Sequence, residues 1–187
     1  MELSGNTAHT WFALRVRSNC EKTVALSLDG KGYEQFLPSY PKRSRRAGPV
    51  KEIDVPLFPG YVFSAFDVNH RLPILTTPGV VHIVGVGQVP EPINPEELLA
   101  IRRFVASGMK VDPWPFLKMG ESVLVERGPL TGLEGLLVQI RSSNRLVVSL
   151  SLLQRSVAVE IDRDCVRPVR RTGFIPARGA SLAARVA

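Results

Sequence analysis

The 187-residue sequence contains few of the residues that build metal and redox sites. Its two cysteines, Cys20 and Cys165, and its three histidines, His9, His70 and His82, are scattered along the chain. Because no CxxC pair or histidine cluster accompanies them, the spacing predicts no metal site, and we expect no cofactor. Paired carboxylates, a Ser/His/Asp arrangement and a glycine-rich phosphate loop are also missing, so the sequence gives little support to an enzyme.

Long hydrophobic runs are missing as well. No run approaches the length of about 18 apolar residues that a membrane-spanning helix needs. The N-terminal segment 1–11 is polar and has no apolar stretch of signal-peptide length, so we expect a cytoplasmic protein. Hydrophobic residues nevertheless make up 44% of the chain, which is enough for a core within one or two domains.

Positive charge is in excess and is unevenly distributed along the chain. The formal net charge is +7, from 24 basic and 17 acidic residues. Segment 42–51 holds five basic residues and no acid, and segment 167–185 holds five arginines. We expect segment 42–51 to be an extended, mobile loop that binds a phosphate backbone, or else a solvated loop that keeps the protein soluble. The candidate nucleic-acid-binding residues are Lys42, Arg43, Arg45 and Arg46.

Hydrophobic periodicity divides the chain into two folded units. Segment 10–106 alternates strand and helix patterns and predicts an α+β domain, with an antiparallel sheet flanked by helices. Segment 107–118 contains two prolines and predicts a linker, while segment 119–169 contains closely spaced strands and predicts a small closed barrel. The β-branched residues of these strands favour a stable barrel over refolding into helix. We expect the basic tail 170–187 to be disordered.

Local signals also predict where some elements begin and end. Asn94 followed by Pro95 predicts a helix start, with Asn94 as its cap. Ser18 or Asn19 is predicted to cap an earlier helix, and segment 33–40 is predicted to be a strand that is stopped by proline.

The segment VPLFPGYVF, residues 55–63, carries more apolar side chains than one buried sheet face requires. Its two prolines lack the N–H that a central strand needs, so they predict an irregular entry to a strand. In that strand Tyr61 and Phe63 lie on one face, and Val62 and Phe66 lie on the other. Either helices cover both sides of the sheet, or an apolar patch is exposed as a protein–protein site.

Several motifs give the chain a family resemblance. After a WF strand and a basic loop come FPGYV (58–62), TPGVV (77–81), a PEEL helix (95–98) and GESVLVERGPLTGLEGLL (120–137). This order resembles the NusG family of transcription elongation factors over residues 10–169, and the last stretch is similar to a KOW motif with its turn-forming glycines. The segments IDVPLFPGYVF and TPGVVHIVG are more similar to those of specialised paralogues of the UpxY and RfaH type, which regulate long operons.

The resemblance implies that the N-terminal domain binds RNA polymerase. An apolar surface with Phe58 as an exposed anchor would contact the clamp helices of the largest subunit, and a second contact would reach the opposite jaw. Bridging both jaws would suppress pausing and promote processive transcription of long operons, while the basic segment would face upstream DNA. The matching polymerase-binding residues are Trp11, Phe58, Pro59, Gly60, Tyr61, His70 and Arg71.

In the family, a barrel loop offers an aromatic–glycine pair to the termination factor Rho or to a small-subunit ribosomal protein. The matching loop here is SLLQRS (151–156), with Leu152, Leu153 and Arg155 as candidate partner-binding residues, and at least one leucine is expected in the core. Because the aromatic and the glycine are missing, Rho stimulation is in doubt and the ribosomal contact stays open. We expect a monomer. The alternative function is a KOW-type RNA-binding protein of ribosome assembly or translation.

Overall fold

The computed structural model has an N-terminal domain of helices and strands and an all-β C-terminal domain, which is the predicted α+β class. It describes residues 10–44, 51–114, 120–140 and 143–169. The prediction of a disordered tail lies outside the described residues. Within the described part of the chain, no helix is long and apolar enough to cross a membrane.

A four-stranded antiparallel sheet forms the centre of the N-terminal domain, in the order β2-β5-β1-β6. Its strands are β1 (Trp11–Val16), β2 (Glu34–Phe36), β5 (Tyr61–Ala65) and β6 (Val80–Ile83). Helix α1 (Glu21–Gly30) covers one face, because Val24 and Leu28 share a buried cluster with Phe12 and Leu14 of β1. The predicted alternation of β1 is therefore confirmed.

The remaining N-terminal elements are short, except for one hairpin and one helix. They are hairpin strands β3 (Ser39–Ser44) and β4 (Lys51–Pro56), a 3-10 turn (Val68–His70), α2 (Leu72–Leu75), strands β7 (Gly85–Val86) and β8 (Val89–Pro90), and α3 (Pro95–Ala106). The strand predicted over segment 33–40 is divided into β2 and β3, with the buried Pro38 between them.

The two predicted helix caps have different outcomes. The side chain of Asn94 accepts the N–H of Glu96 at 2.8 Å, so the predicted start of α3 is confirmed. The cap predicted for α1 is wrong, because Cys20 occupies the N-cap without a side-chain hydrogen bond. Asn19 has a φ of 63° and makes the turn that precedes the cap.

The C-terminal domain is a six-stranded antiparallel sheet in the order β14-β10-β11-β12-β13-β9, which confirms the all-β prediction. Its strands are β9 (Val111–Trp114), β10 (Glu121–Val125), β11 (Glu134–Ile140), β12 (Ser143–Leu150), β13 (Arg155–Glu160) and β14 (Val166–Pro168), with a 3-10 turn at Arg163–Cys165. The prediction of a linker over 107–118 is wrong at its centre, because β9 pairs with β13. Pro113 is compatible with β9 because this strand lies at the sheet edge.

A continuous hydrophobic cluster, which we call the interdomain cluster, joins the two domains. Its buried members include Phe58, Phe63, Ile101 and Phe104 from the N-terminal domain and Val123, Leu146 and Val157 from the C-terminal domain. Helix α3 lies against β12. The two domains therefore pack on each other, and this packing decides how much of the N-terminal sheet is exposed.

Candidate interaction surface

The face of the N-terminal sheet opposite α1 is aromatic. Residues paired across antiparallel strands point to the same side, and Trp11 and Arg15 of β1 are paired with Ala65 and Tyr61 of β5. Phe63 lies on this side as well, with its ring centroid 6.2 Å from that of Phe36 in β2. We call the set Trp11, Phe36, Tyr61 and Phe63 the aromatic face.

Arginines lie over three of these rings. The guanidinium of Arg102 in α3 lies 4.3 Å from the ring centroid of Trp11 and 5.3 Å from that of Phe36, and it also contacts Glu34 at 3.3 Å. The guanidinium of Arg15 lies 5.0 Å from the ring centroid of Tyr61. Sequence reasoning missed Arg102, because the helical period of α3 places it beside the buried stripe rather than within it.

The FPGY turn places its phenylalanine inside the molecule. Phe58 is 1% exposed, and its ring packs edge-on against Phe63 at 5.8 Å. The expectation of an exposed Phe58 anchor is therefore wrong in this structure, because the turn closes through the N–H of Tyr61 and directs the Phe58 ring into the interdomain cluster. Pro59 is exposed and Gly60 is buried. The binding roles of the four FPGY residues, 58–61, stay predictions.

The C-terminal domain contacts the N-terminal domain through polar groups as well. The N–H and the hydroxyl of Ser151 donate to the carboxylate of Glu97 at 3.0 and 2.7 Å. Arg103 donates to the carbonyl of Thr131 at 3.3 Å. We call these pairs the interdomain hydrogen bonds. Because they join segments far apart in the sequence, no local pattern could predict them.

The predicted barrel loop lies at this domain boundary. Leu153 is 8% exposed and Leu152 packs against the interdomain cluster, so the expectation of a core leucine is confirmed. The guanidinium of Arg155 lies 5.9 Å from the ring centroid of Tyr61. The structure thus brings the loop and the aromatic face together. The sequence suggested either helices on both sides of the sheet or an exposed apolar patch. Neither alternative describes the result, because α3 and the C-terminal domain of the same chain cover this side of the sheet.

His70 and Arg71 lie in the segment that follows β5, and both are exposed. The ring Nδ1 of His70 lies 2.8 Å from a carboxylate oxygen of Asp67. The backbone N–H of Asn69 and this imidazole hold the pKa of Asp67 below its usual value. The pair is a local surface feature, on a different segment from the FPGY turn.

The basic segment is partly a hairpin rather than a mobile loop. Lys42 and Arg43 are exposed in β3, opposite Ile53 and Glu52 of β4. The loop prediction is therefore wrong for these two residues, because their backbone pairs with β4. The register also places an acid opposite Arg43, although the segment itself contains none. Arg45 and Arg46 lie outside the described residues.

The described ranges contain no candidate metal centre. No group of three or more histidine, cysteine, aspartate or glutamate side chains in those ranges could hold a metal ion. The surface itself offers aromatic rings, guanidinium groups and the carboxylates of Glu34 and Glu97, which accept hydrogen bonds.

Comparisons with known proteins agree with this architecture. A family model described as "Transcription termination factor nusG" matches residues 9–102. The transcription termination/antitermination protein NusG of Pseudomonas aeruginosa is 30% identical over 176 residues, covering 87% of this chain and 99% of that protein. NusG of Halalkalibacterium halodurans is 28% identical over 171 residues, with coverage of 87% and 96%.

A solved structure supports the fold over both domains. The structure titled "Domain interaction in Thermotoga maritima NusG" matches with a TM-score of 0.54 and 20% identity, covering 88% of this chain and 99% of that one. The family model covers half of the chain, and the Pseudomonas relative matches along nearly its whole length. The chain therefore belongs to the NusG family of transcription factors.

Proposed function

We propose that this protein is a non-enzymatic transcription elongation and antitermination factor that binds RNA polymerase through the aromatic face. Membership of the NusG family supports a role in transcription. The proposed contact is the clamp helices of the largest subunit, and the proposed outcome is processive transcription of long operons. The observation that carries the proposal is the pairing of aromatic rings with guanidinium groups on one sheet face.

The chemistry of the aromatic face suits a protein partner. Trp11 and Tyr61 are half-buried, and Arg102 and Arg15 lie over their rings. Tryptophan, tyrosine and arginine are the residues that most often dominate the binding energy of protein interfaces. Because these rings lie on a hydrogen-bonded sheet, little conformational entropy is lost when a partner binds them.

Binding in this way requires the C-terminal domain to move away. Arg155 lies over Tyr61, and Glu97 is bonded to Ser151. A polymerase that competes with these contacts binds only the fraction of molecules in which the domains have separated, which lowers its apparent affinity. Separation would also free the turn at residues 151–155 for a second partner, for which a small-subunit ribosomal protein is our candidate.

Other surface residues have secondary roles in the proposal. His70 and Arg71 would contact the opposite jaw of the DNA channel, and both side chains are exposed. Lys42 and Arg43 would contact upstream DNA together with Arg45 and Arg46. The protein would act as a cytoplasmic monomer, as a specialised paralogue of the UpxY or RfaH type.

The experiment that tests the function measures the affinity of the full-length protein for nuclease-treated RNA polymerase. We expect Tyr61→Ala to bind at least tenfold more weakly, because loss of an aromatic anchor costs about 2 kcal/mol or more. Tyr33→Ala is the matched control, because this tyrosine is also half-buried but packs in the cluster beside α1. Equal affinities of the two variants would contradict the proposal, and binding that vanishes with nuclease would favour the RNA-binding alternative.

The DNA contact has its own test in the salt dependence of binding to a complete elongation complex. Each neutralised phosphate contributes about 0.9 to the log–log salt slope, so changing Lys42 and Arg43 to glutamine should flatten the slope by about 1.8. The matched control changes the exposed Arg17 and Lys22 to glutamine and should leave the slope unchanged. A loss on the bare polymerase as large as that on the elongation complex would mean that the hairpin contacts protein rather than DNA.

A further inference from the structure

The backbone of Gly60 is held on both sides by residues outside its own turn. Its N–H donates to a carboxylate oxygen of Glu21 at 2.7 Å. Its carbonyl accepts from the N–H of Val16 at 2.9 Å and from the guanidinium of Arg15 at 3.4 Å. Gly60 has a φ of 83°, where an L side chain is strained, and a Cβ added here would displace the Arg15 guanidinium.

Glu21 is an acidic residue in a buried position. It is the first residue of α1 and is 7% exposed. Among the described residues, no lysine or arginine nitrogen lies within 4.0 Å of its carboxylate. Burying a carboxylate is unfavourable unless it is hydrogen-bonded, and the Gly60 N–H supplies such a bond. The buried carboxylate therefore connects the start of α1 to the FPGY turn.

Arg15 connects the same turn to Tyr61. The two residues are paired across β1 and β5, and the guanidinium lies 5.0 Å from the Tyr61 ring centroid. One side chain therefore contacts both the Gly60 carbonyl and the ring that follows it. The N–H of Tyr61 donates to the carbonyl of Phe58 at 3.1 Å and closes the turn. The direction of the Tyr61 ring consequently depends on where Gly60 is held.

We propose that Glu21 and Arg15 are positioning residues for polymerase binding, which hold Gly60 and thereby fix the Tyr61 ring in the geometry that the partner recognises. This inference rests on the proposed function, because that function gives the aromatic face its partner. Without Glu21 the buried N–H of Gly60 would lose its acceptor, and the turn would sample other conformations. Polymerase would then have to order the turn on binding, and this cost would lower its affinity.

The test measures polymerase affinity of full-length proteins that all carry Arg155→Ala, so that Arg155 no longer covers Tyr61. We expect Glu21→Ala to bind about tenfold more weakly than this parent, which corresponds to about 1.4 kcal/mol. Glu21→Gln keeps an oxygen that can accept the Gly60 N–H and should bind almost as tightly as the parent. Glu96→Ala removes an exposed first-turn carboxylate from α3 and is the matched control, with parental affinity expected.

A second measurement separates positioning from simple stabilisation. The amide proton of Gly60 should shift upfield in the NMR spectrum and exchange faster in Glu21→Ala, because its hydrogen bond to a carboxylate is lost. A purely structural role would lower the melting temperature and leave the affinity of the folded protein unchanged, and that result would overturn the proposal. If Glu21→Ala does not fold, Arg15→Gln tests the carbonyl side, with weaker polymerase binding expected.

Tyr61→Ala in the same background distinguishes this inference from the function on which it rests. Weak binding by both Tyr61→Ala and Glu21→Ala supports both proposals. Weak binding by Tyr61→Ala with parental binding by Glu21→Ala overturns the positioning role alone. Parental binding by Tyr61→Ala overturns the polymerase-binding role of the aromatic face, and the positioning role with it.

Discussion

The two faces of the N-terminal sheet are closed in different ways. On the side of α1 the contacts are apolar, and the rings of Phe12 and Phe66 lie 4.9 Å apart. Five residues of β1, of β5 and of the position that follows β5 are no more than 3% exposed on this side, namely Phe12, Leu14, Val16, Val62 and Phe66. On the other side Trp11 and Tyr61 remain half-buried, and arginines lie over their rings.

Under the proposed function, this difference separates a core that stays closed from a surface that opens when polymerase binds. The α1 side is closed within one domain, so exposing it means unfolding that domain. The aromatic face is closed partly by another domain through Glu97, Ser151 and Arg155, whose polar groups can return to water. Interfaces between domains of one chain often resemble transient protein–protein interfaces, but separation here would also expose apolar residues of the interdomain cluster.

The largest expected effect is a loss of stability when a side chain is removed from the cluster beside α1. Phe66→Ala should lower the free energy of unfolding by about 3–5 kcal/mol, because it leaves a cavity in a fully buried cluster. Urea denaturation measures this loss, and Leu26→Ala is the control because Leu26 is 72% exposed on α1. If Phe66→Ala instead separated the two domains and left the free energy of unfolding of the N-terminal domain unchanged, the two faces would not differ as described.

Removing an interdomain contact beside the aromatic face should change polymerase binding rather than the stability of the N-terminal domain. Glu97→Ala removes the acceptor of both Ser151 donors and should leave the unfolding of the N-terminal domain nearly unchanged. It should tighten apparent polymerase binding about fivefold, since a partly exposed contact of this kind contributes about 1 kcal/mol. The neighbouring Glu96→Ala is the control, because the hydrogen bonds to Ser151 come from Glu97. Weaker polymerase binding by Glu97→Ala would mean that this carboxylate contacts polymerase itself.

A smaller effect is expected from the guanidinium that lies over Tyr61. Arg155→Ala should tighten polymerase binding about twofold to fivefold, because an exposed cation–π contact is worth about 0.5–1 kcal/mol. Arg155→Lys keeps the positive charge and should fall between the variant and the wild type. Small-angle scattering should show a larger radius for the alanine variant. Unchanged scattering together with unchanged affinity would remove Arg155 from the interdomain contact.

The smallest effect concerns Asp67, which follows Phe66 and belongs to neither face. Its pKa is lowered from 3.8 by the Asn69 N–H and by His70. Because the folded state binds the carboxylate proton more weakly than the unfolded state, the stabilisation is present above pH 3.8 and is lost as pH falls through the lowered native value. The melting temperature of Asp67→Ala should therefore lie below that of wild type at pH 7 and meet it in acid. A difference in melting temperature that persists in acid would show that the lowered pKa of Asp67 is not its cause.

The parts of this fold that were predicted from the sequence are those with local signals. The alternation of β1 and the Asn94–Pro95 start of α3 depend on residues within one or two turns of the chain. The β-branched residues of the C-terminal strands likewise favour strand geometry, and these strands are present. The failures at Ser18 and Asn19 show that a capping residue type does not ensure a capping geometry.

The candidate site was harder to predict because its contacts are non-local. Phe58 was expected to be an exposed anchor, but it is buried in a cluster that includes the C-terminal domain. Glu97 and Ser151 are 54 residues apart, and Arg102 reaches Trp11 across a helix–sheet contact. Strand β9 was missed because it contains Pro113, which a central strand would not tolerate but an edge strand does. Each of these features requires a tertiary contact that periodicity does not encode.

The most direct test of the central claim is a photo-crosslinker placed at Pro59, which is exposed beside the aromatic face. In complexes of the full-length protein with RNA polymerase, we predict a crosslink to the largest subunit that Tyr61→Ala weakens and Glu97→Ala strengthens. Crosslinks to RNA, to another polypeptide, or only within the chain itself would contradict the claim that this face binds polymerase.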